Sequence, residues 1–428
     1  MKIGFFTLGC KVNQYETQVM RELFEKRGDI VVCEQAQVDV FIINSCTVTG
    51  ESDRKTRQML RKYRSLYPDA VLVLAGCMPQ AFPDTAKKLP EADIIVGNTQ
   101  VTLIPSLVDK FLSDGERIIK IEKHSRDESF NTPDVTDFEE RTRAFMKIQD
   151  GCDRYCTYCI IPSARGPIRS KSINNIKAEA EILGQKGFCE VVLVGINLTS
   201  YGKEAGLNIC DAVDTVCSVE GIKRVRLGSL EPDHISDEML LRLKALPKFC
   251  PQFHLSLQSG CDATLKRMNR HYDTYFYRDL VKRIRKNFSN AAITTDIMVG
   301  FAGETEDEFN QSLNFAKEIG FASAHIFAYS RRAGTVAYNM PCQVEKSEKS
   351  RRSRQMIAAT KKTETDFLDK MIGSSQKVLF ESKDCEGFYR GFTENYCQVK
   401  VKTQKDITGK ILEVSIIGRQ NSFLIGEI

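Results

Sequence analysis

Cys152, Cys156 and Cys159 stand within eight residues in the stretch "QDGCDRYCTYCIIPSARGP", residues 149–167. The spacing Cys-x3-Cys-x2-Cys brings three thiolates together inside one loop, and a segment broken by Pro and Gly follows them. Structural zinc takes four protein ligands in a closed tetrahedron, whereas a catalytic metal site keeps a position open. Three clustered thiolates suit a 4Fe–4S cube with one iron free for a ligand that is not protein. The competing reading is a structural or accidental grouping.

Three further cysteines are distant in sequence but equivalent in setting. Cys10, Cys46 and Cys77 end the apolar runs "FFTLGC", "FIINSC" and "LVLAGC", at intervals of 36 and 31 residues. Each interval fits one strand–helix–strand repeat. The C-terminal ends of parallel strands in a doubly wound sheet converge on one crevice. Three thiols aimed at one rim are therefore candidates for a second cluster. The alternative is that each is a buried cysteine behaving as a small hydrophobe. The other nine cysteines have no comparable pattern.

The elements that must position these residues follow from hydrophobic patterning. Residues 1–123 alternate short apolar runs ("IGFFTL", "VDVFIIN", "VLVLAG", "DIIVG") with polar stretches of helical spacing. That pattern predicts a parallel, doubly wound α/β domain. The acidic segment 124–140, one Arg against six acids, reads as a linker. Residues 141–344 carry six candidate strands, "FMKIQ", "VVLVG", "RVRLG", "FHLSLQ", "ITTDIMVG" and "AHIFAY", separated by polar helical segments. Six β/α units make an incomplete barrel whose site lies at the strand C-terminal ends. Residues 345–372 read as a charged linking helix. Residues 373–428 hold about five short strand-like runs and predict a small β-barrel of the oligonucleotide-binding kind.

Composition sets the remaining bounds. With 42% apolar and 27% charged residues, the 428-residue chain is that of a globular protein of several domains. No apolar run approaches a membrane span and no signal peptide is apparent, so a cytoplasmic location is expected. Fifteen cysteines in a reducing compartment favour metal binding over disulfides. Net charge is only +5, but "DRKTRQMLRKYR" (53–64) has six basic residues against one acid. Such patches permit nucleic-acid binding without demonstrating it.

The Cys-x3-Cys-x2-Cys loop, with Tyr158 before its last cysteine, resembles the radical S-adenosylmethionine superfamily. The segments "TLGCKVNQYE", "INSCTVT", "AGCMPQ", "GCDRYCTYCIIP", "LQSGCDATLKRMNR", "DIMVGFAGETEDEF" and "YSRRAGT" resemble the methylthiotransferase family across essentially the whole chain. "LVGINLTSYG" and "RLGSLEP" look most like the branch acting on N6-threonylcarbamoyladenosine beside the anticodon of tRNA. Other branches act on isopentenyladenosine in tRNA or on an aspartate of a ribosomal protein. Ser163 and Ala302 depart from the usual residues at their positions, which bears on loop stiffness only.

The resemblance implies two 4Fe–4S clusters, held by Cys152, Cys156 and Cys159 and by Cys10, Cys46 and Cys77. It implies two molecules of S-adenosylmethionine per product, one methylating a sulfur of the second cluster and one generating the radical that abstracts hydrogen from adenine carbon 2. Expected partners are tRNA, an electron donor such as flavodoxin or ferredoxin, and a source of sulfur or clusters. A monomer without membrane contact, ending in a TRAM-type barrel, is expected. Candidate S-adenosylmethionine contacts are Tyr158, Asn197, Ser256 and Gln258. Arg165, Arg331 and Arg332 are candidates for the substrate's threonyl carboxylate, since Arg pairs with carboxylates bidentately. Phe388, Tyr389, Phe392 and Tyr396 either stack on bases or fill the terminal barrel. The five histidines read mainly as structural.

Overall fold

The structure, a computed structural model, describes residues 1–33, 37–138 and 142–428. The end of the expected linker, 139–140, and the expected first residue of the barrel, 141, lie outside the described residues. No helix among the described residues is long and apolar enough to cross a membrane.

The N-terminal sheet is parallel, in the order β2-β1-β3-β4-β5-β6. Its strands are β1 (Lys2–Thr7), β2 (Ile30–Val31), β3 (Val40–Ser45), β4 (Val71–Gly76), β5 (Ile94–Val96) and β6 (Ile118–Lys120). β3 and β4 are buried along their whole length, as strands covered on both faces must be. Met20 and Phe24 of the helix Lys11–Lys26 pack with Ile3, Ile42 and Val108 on one face. Leu60 and Tyr63 of the helix Gly50–Leu66 pack with Phe41 and Leu74 on the other. The sheet is thus doubly wound. The four expected strands are joined by two edge strands, β2 and β6, whose two and three residues are too short to leave a readable apolar run.

The central strands are β7 (Arg143–Lys147), β8 (Gln149–Asp150), β9 (Arg169–Ser170), β10 (Glu190–Val194), β11 (Arg224–Leu227), β12 (Ser229–Leu230), β13 (Gln252–Leu255), β14 (Ala292–Val299) and β15 (Ser323–Ala328). They pair in parallel as β7-β10-β11 and β12-β13-β14-β15, with the register broken between β11 and β12 at Gly228. A single parallel bridge, Val225 to Phe249, carries the sheet across the break. This is the six-unit open barrel, with β7 and β15 as its free edges. β8 and β9 form a small antiparallel ribbon that brackets the cysteine loop. The expected strand "FHLSLQ" ends early, at Leu255. The Thr295 hydroxyl accepts from the Leu257 amide, which interrupts the ladder, and the chain rejoins it for one residue at Gln258, whose φ is +65°.

The segment 124–138 has no helix or strand but is pinned to both domains. Glu22 accepts from the amides of Thr136 and Asp137, Glu179 from the amide of Val135, and His124 contacts the Ala164 carbonyl. The helix Lys346–Asp369 runs along the barrel, with Arg352 bonded to Glu304 at 2.7 Å. It leads into β16 (Ser375–Lys383), β17 (Phe388–Thr393), β18 (Gln398–Lys402), β19 (Ile411–Gln420) and β20 (Phe423–Glu427), which close into a five-stranded barrel. That barrel docks at the N-terminal ends of β7, β10 and β11. Arg224 donates to the carbonyls of Phe392 and Lys377, and Arg226 to that of Glu394.

Gly76 closes β4 with φ +97° and ψ −153°, a conformation open essentially to glycine alone. A Cβ there would lie 2.4 Å from Asn44 Oδ1 and 2.5 Å from the Ser45 carbonyl. Gly76→Ala is expected to destabilise the N-terminal sheet by about 1–3 kcal/mol from backbone strain. Hydrogen exchange of β3 and β4 in the full chain measures this, and exchange at the unsubstituted rate would contradict it.

Candidate active site

The first cysteine loop leaves β8 at Gly151, whose φ is +74° and whose Cβ, if present, would lie 1.7 Å from the Pro167 carbonyl oxygen. That close approach pulls the loop shut: the Cys152 amide donates to the Gly166 carbonyl at 3.0 Å. The Cys159 amide donates to Cys156, and the Thr157 amide to the Met268 carbonyl. Burial pushes the Cys152 thiol up to about 11 and the Cys159 thiol up to about 12. Donors nevertheless converge on the sulfurs. The amides of Arg154 and Ile161 bond to Cys152 and Cys159, and Arg270 Nη1 lies 3.2 Å from Cys156 Sγ. Apolar surroundings with fixed N–H donors suit metal-bound thiolates, which must shed their protons on binding.

Arg270 organises the rim around this loop. It also pairs with Glu231, donates to the Ser256 carbonyl and bonds to the Tyr272 hydroxyl at 3.1 Å. Ser256 is thereby joined to Cys156 through one guanidinium. Asn197 follows β10, is 3% exposed, and leaves its Nδ2 without a partner while its amide donates to Gln149. Gln258 bridges to Ile297 through its backbone. Tyr158 packs edge-on against Phe301, whose ring in turn meets Tyr329. All four candidates stand on the strand C-terminal rim. Arg270 and Glu231 were not singled out from sequence; "LKRMNR" and "SLEP" contain them without marking them.

The second set is gathered by polar staples. Cys10 caps the helix Lys11–Lys26, Cys46 follows β3, and Cys77 opens the helix Cys77–Ala81. Asn13 Nδ2 donates to the carbonyls of Leu8 and Ser45, tying the Cys10 loop to the Cys46 loop. Ser45 Oγ donates to the Ala75 carbonyl and accepts from the Met78 amide, tying Cys46 to Cys77. A Cβ on Gly9 would lie 2.9 Å from the Cys46 Cβ, so the two loops are adjacent. Burial pushes Cys77 up to about 12 and raises Cys46. Among the described residues, no three His, Cys, Asp or Glu side chains form a ready cage for a single ion. A cube held at its corners spaces its thiolates more widely than one ion does, and an all-thiol donor set fits such a cube.

The two sets share a wall. The helix Cys77–Ala81 packs against the helix Ile161–Arg165, which begins two residues after Cys159. Asn98 Nδ2 donates to the Ala164 carbonyl at 2.6 Å and lies 3.9 Å from Cys77 Sγ. The arginines of the flanking loops complete the closure. Arg165 is fully buried and bonded to Glu16 and Asn13. Arg332 is 5% exposed and bonded to Asp53 at 2.6 Å and Thr47 at 2.7 Å. The expected clamp on a substrate carboxylate is corrected at these two positions: the carboxylates they hold belong to the chain itself. Arg331 is exposed, stacked on Tyr338 and bonded to its carbonyl.

Comparison with known proteins adds the following. Residues 146–316 match the radical SAM superfamily and residues 2–97 match uncharacterized protein family UPF0004. The chain is 35% identical, over 97% of its length and 93% of the relative's, to a threonylcarbamoyladenosine tRNA methylthiotransferase of Bacillus subtilis. It is 33% identical to a tRNA-2-methylthio-N(6)-dimethylallyladenosine synthase of Clostridium botulinum, over 98% of this chain and 95% of the relative. Among solved structures, the radical S-adenosylmethionine methyltransferase TsrM of Kitasatospora setae shares the fold. Its TM-score is 0.59 at 12% identity, covering 79% of this chain and 74% of that one.

Truncating one partner of a buried ion pair costs about 3–5 kcal/mol. Arg332→Met should therefore free the segment 46–53 and speed its amide exchange by about a hundredfold or more, with β13 and β14 unchanged. Arg331→Met, at an exposed position, should leave that segment protected. Equal protection in both variants would show that the Arg332–Asp53 pair does not hold the domain.

Proposed function

The chain belongs to the radical S-adenosylmethionine methylthiotransferases that modify tRNA, and on that premise we propose that it adds a methylthio group to carbon 2 of N6-threonylcarbamoyladenosine beside the anticodon. It is an enzyme, a tRNA methylthiotransferase whose family uses a 4Fe–4S cluster and S-adenosylmethionine. The observation that carries the finer reading is the pair of three-cysteine sets on walls that share Asn98 and the helix after Cys159.

In this reading Cys152, Cys156 and Cys159 hold the first cluster, and Cys10, Cys46 and Cys77 hold the second. When bound, the first supplies with S-adenosylmethionine the hydrogen-abstracting chemistry, and the second supplies sulfur, at two S-adenosylmethionine per product. Asn197, with an orphaned buried Nδ2, and Ser256, Gln258 and Tyr158 on the same rim orient S-adenosylmethionine. Arg270 and the amides of Arg154 and Ile161 stabilise thiolate charge. An unactivated aromatic C–H offers no useful acidity, which accords with a rim whose charges are paired rather than poised as a general base. Electrons come from a flavodoxin- or ferredoxin-like donor, and sulfur from a separate supply, to a monomer in the cytosol.

The tRNA is met outside the cavity by exposed cations. Arg54, Lys55 and Arg61 lie on the helix Gly50–Leu66. On the terminal barrel the exposed Lys402 stands over Phe388 and the exposed Arg390 over Phe423, with the largely buried Lys400 near both rings. Such a mixture of cations and aromatic faces suits single-stranded anticodon bases. Tyr389 is core. The threonylcarbamoyl branch is favoured by relatives in Bacillus subtilis and Aquifex aeolicus that carry that name at 35% and 34% identity. The dimethylallyl-type base is the second reading, favoured by relatives of that name at 33%.

Two measurements test the reading. The triple variant Cys152→Ala, Cys156→Ala, Cys159→Ala should lose about half the iron and all formation of 5′-deoxyadenosine. The triple variant Cys10→Ala, Cys46→Ala, Cys77→Ala should still form 5′-deoxyadenosine but no methylthio product. Normal methylthiolation by the second variant would remove Cys10, Cys46 and Cys77 from the sulfur site. For the substrate, mass spectrometry of tRNA nucleosides from cells with and without the gene should show loss of the methylthio form of threonylcarbamoyladenosine alone. Loss of the methylthio isopentenyl nucleoside instead would establish the second reading.

A further inference from the structure

A cavity of about 710 Å³ lies inside the open barrel, and all three domains line it. Gly9, Cys10 and Lys11 bound it from the N-terminal domain, the inward side chains of β13, β14 and β15 run along it, and Phe392 and Tyr396 of the terminal barrel form its end. Its volume is in the range of sites that hold a nucleoside-sized ligand, roughly 300–1,000 Å³. Its charged groups are mostly spoken for. His254 uses one ring nitrogen toward Asp296 at 3.2 Å and the other toward Thr294 at 3.0 Å. Glu364 pairs with Lys361. Nearby, Arg143 pairs with Glu381, and Arg226 with Glu190.

Lys11 is the exception. Its half-buried ammonium lies 5.9 Å from the ring centres of Phe145 and of Tyr396, and no carboxylate of the described residues pairs with it. Three cations, Lys11, Arg143 and Arg226, surround the Tyr396 ring. Glu190, the carboxylate whose charge reaches Lys11, is already shared by Arg143, Arg224 and Arg226, and a cation taken partly out of water without a counter-ion of its own is unfavourable unless a ligand brings one. We infer that Lys11 receives an anionic group carried by the N6-substituent of the adenine that enters this cavity, and so selects for that base. The inference rests on the threonylcarbamoyl reading above, because that substituent ends in a carboxylate whereas a dimethylallyl group is apolar. A backbone phosphate is the other anion in the system. It would have to leave the tRNA surface to reach the cavity, and its contact would be blind to the N6-substituent.

The test compares anticodon stem-loops carrying threonylcarbamoyladenosine, isopentenyladenosine or plain adenosine at the same position, bound by the full chain with its clusters. The quantity read is the ratio of dissociation constants, so that a change in iron beside Cys10 does not imitate the result. Wild type should prefer the threonylcarbamoyl loop over the adenosine loop by at least tenfold, the size of one charge-assisted contact. Lys11→Met should bring that ratio to near one, and Lys11→Arg should restore it. If Lys11→Met keeps the wild-type ratio while wild type does prefer the threonylcarbamoyl loop, the assignment of Lys11 is overturned and the substrate reading stands. If Lys11→Met weakens all three loops equally, Lys11 is a phosphate contact and the inference is likewise overturned. If wild type prefers the isopentenyl loop, the substrate reading falls, and the role of Lys11 falls with it.

Discussion

An open barrel of six strands has two free edges, and two buried guanidiniums decide what closes this one. Arg165 follows the edge strand β7 and is held by Glu16, and Arg332 follows the edge strand β15 and is held by Asp53. Charges withdrawn from water are tolerated only when paired and hydrogen-bonded, so these contacts permit one seating of the N-terminal domain. Glu16 is shared with Lys147, and Lys147 also pairs with Asp150. Burial pushes the Asp150 carboxyl up, but Lys147, Arg165 and Arg169 outweigh it and hold it well below the usual carboxylate range. Glu16 lies on the helix that Cys10 caps, together with Asn13, which binds Arg165 and the Cys46 loop. The pairing that closes the barrel therefore also fixes where the second set of thiols stands relative to the first.

In that arrangement Cys46, Cys77 and Cys156 are buried, Cys152 and Cys159 are half-buried, and Cys10 is exposed at the cap of its helix. Burial alone would keep them protonated and inert, as it does for structural cysteines such as Cys250, pushed up to about 12. At Cys152, Cys159 and Cys46 a backbone amide two residues ahead points at the sulfur. At Cys250 no such amide contributes, and its neighbours are the charges that seat the terminal barrel, Arg226 first among them. Burial also pushes Cys77 up to about 12, and there no such amide contributes; Arg165 is the charge that opposes its burial.

The cysteine sets, the doubly wound sheet, the open barrel and the terminal barrel were legible because each leaves a periodic or spacing signal in the chain. What was not legible depends on partners distant in sequence. An arginine in "PSARGP" or "YSRRAGT" looks equally suited to a substrate carboxylate and to Glu16 or Asp53, which lie 149 and 279 residues away. Asn13 and Ser45 read as ordinary polar residues beside a cysteine, and only the fold shows that they tie three strand ends together. Arg270 lies three residues past the end of the helix Asp262–Arg267, and its role appears only where Cys156, Glu231 and Ser256 meet. Edge strands of two or three residues and the turn at Gln258 escaped for a different reason, since they are too short to impose a period.

The aromatic residues of the terminal barrel show the same limit and give it a functional consequence. Phe392 and Tyr396 stack on each other at 4.6 Å, and Arg143 lies over both rings, at 4.5 and 5.0 Å. Their faces are thus engaged at the floor of the central barrel, while Phe388 and Phe423 keep to the outer surface among Lys400, Lys402 and Arg390. One small barrel consequently presents two unlike surfaces, a cation-rich outer one and an inner one that walls the cavity beside Lys11. Arg224 and Arg226 are buried against the carbonyls of that barrel. Here those bonds cover polar groups that would otherwise be buried unpaired. They fix the floor of the cavity to β11, whose Arg226 also pairs with Glu190 of β10, so that the terminal barrel and the central barrel wall the cavity together.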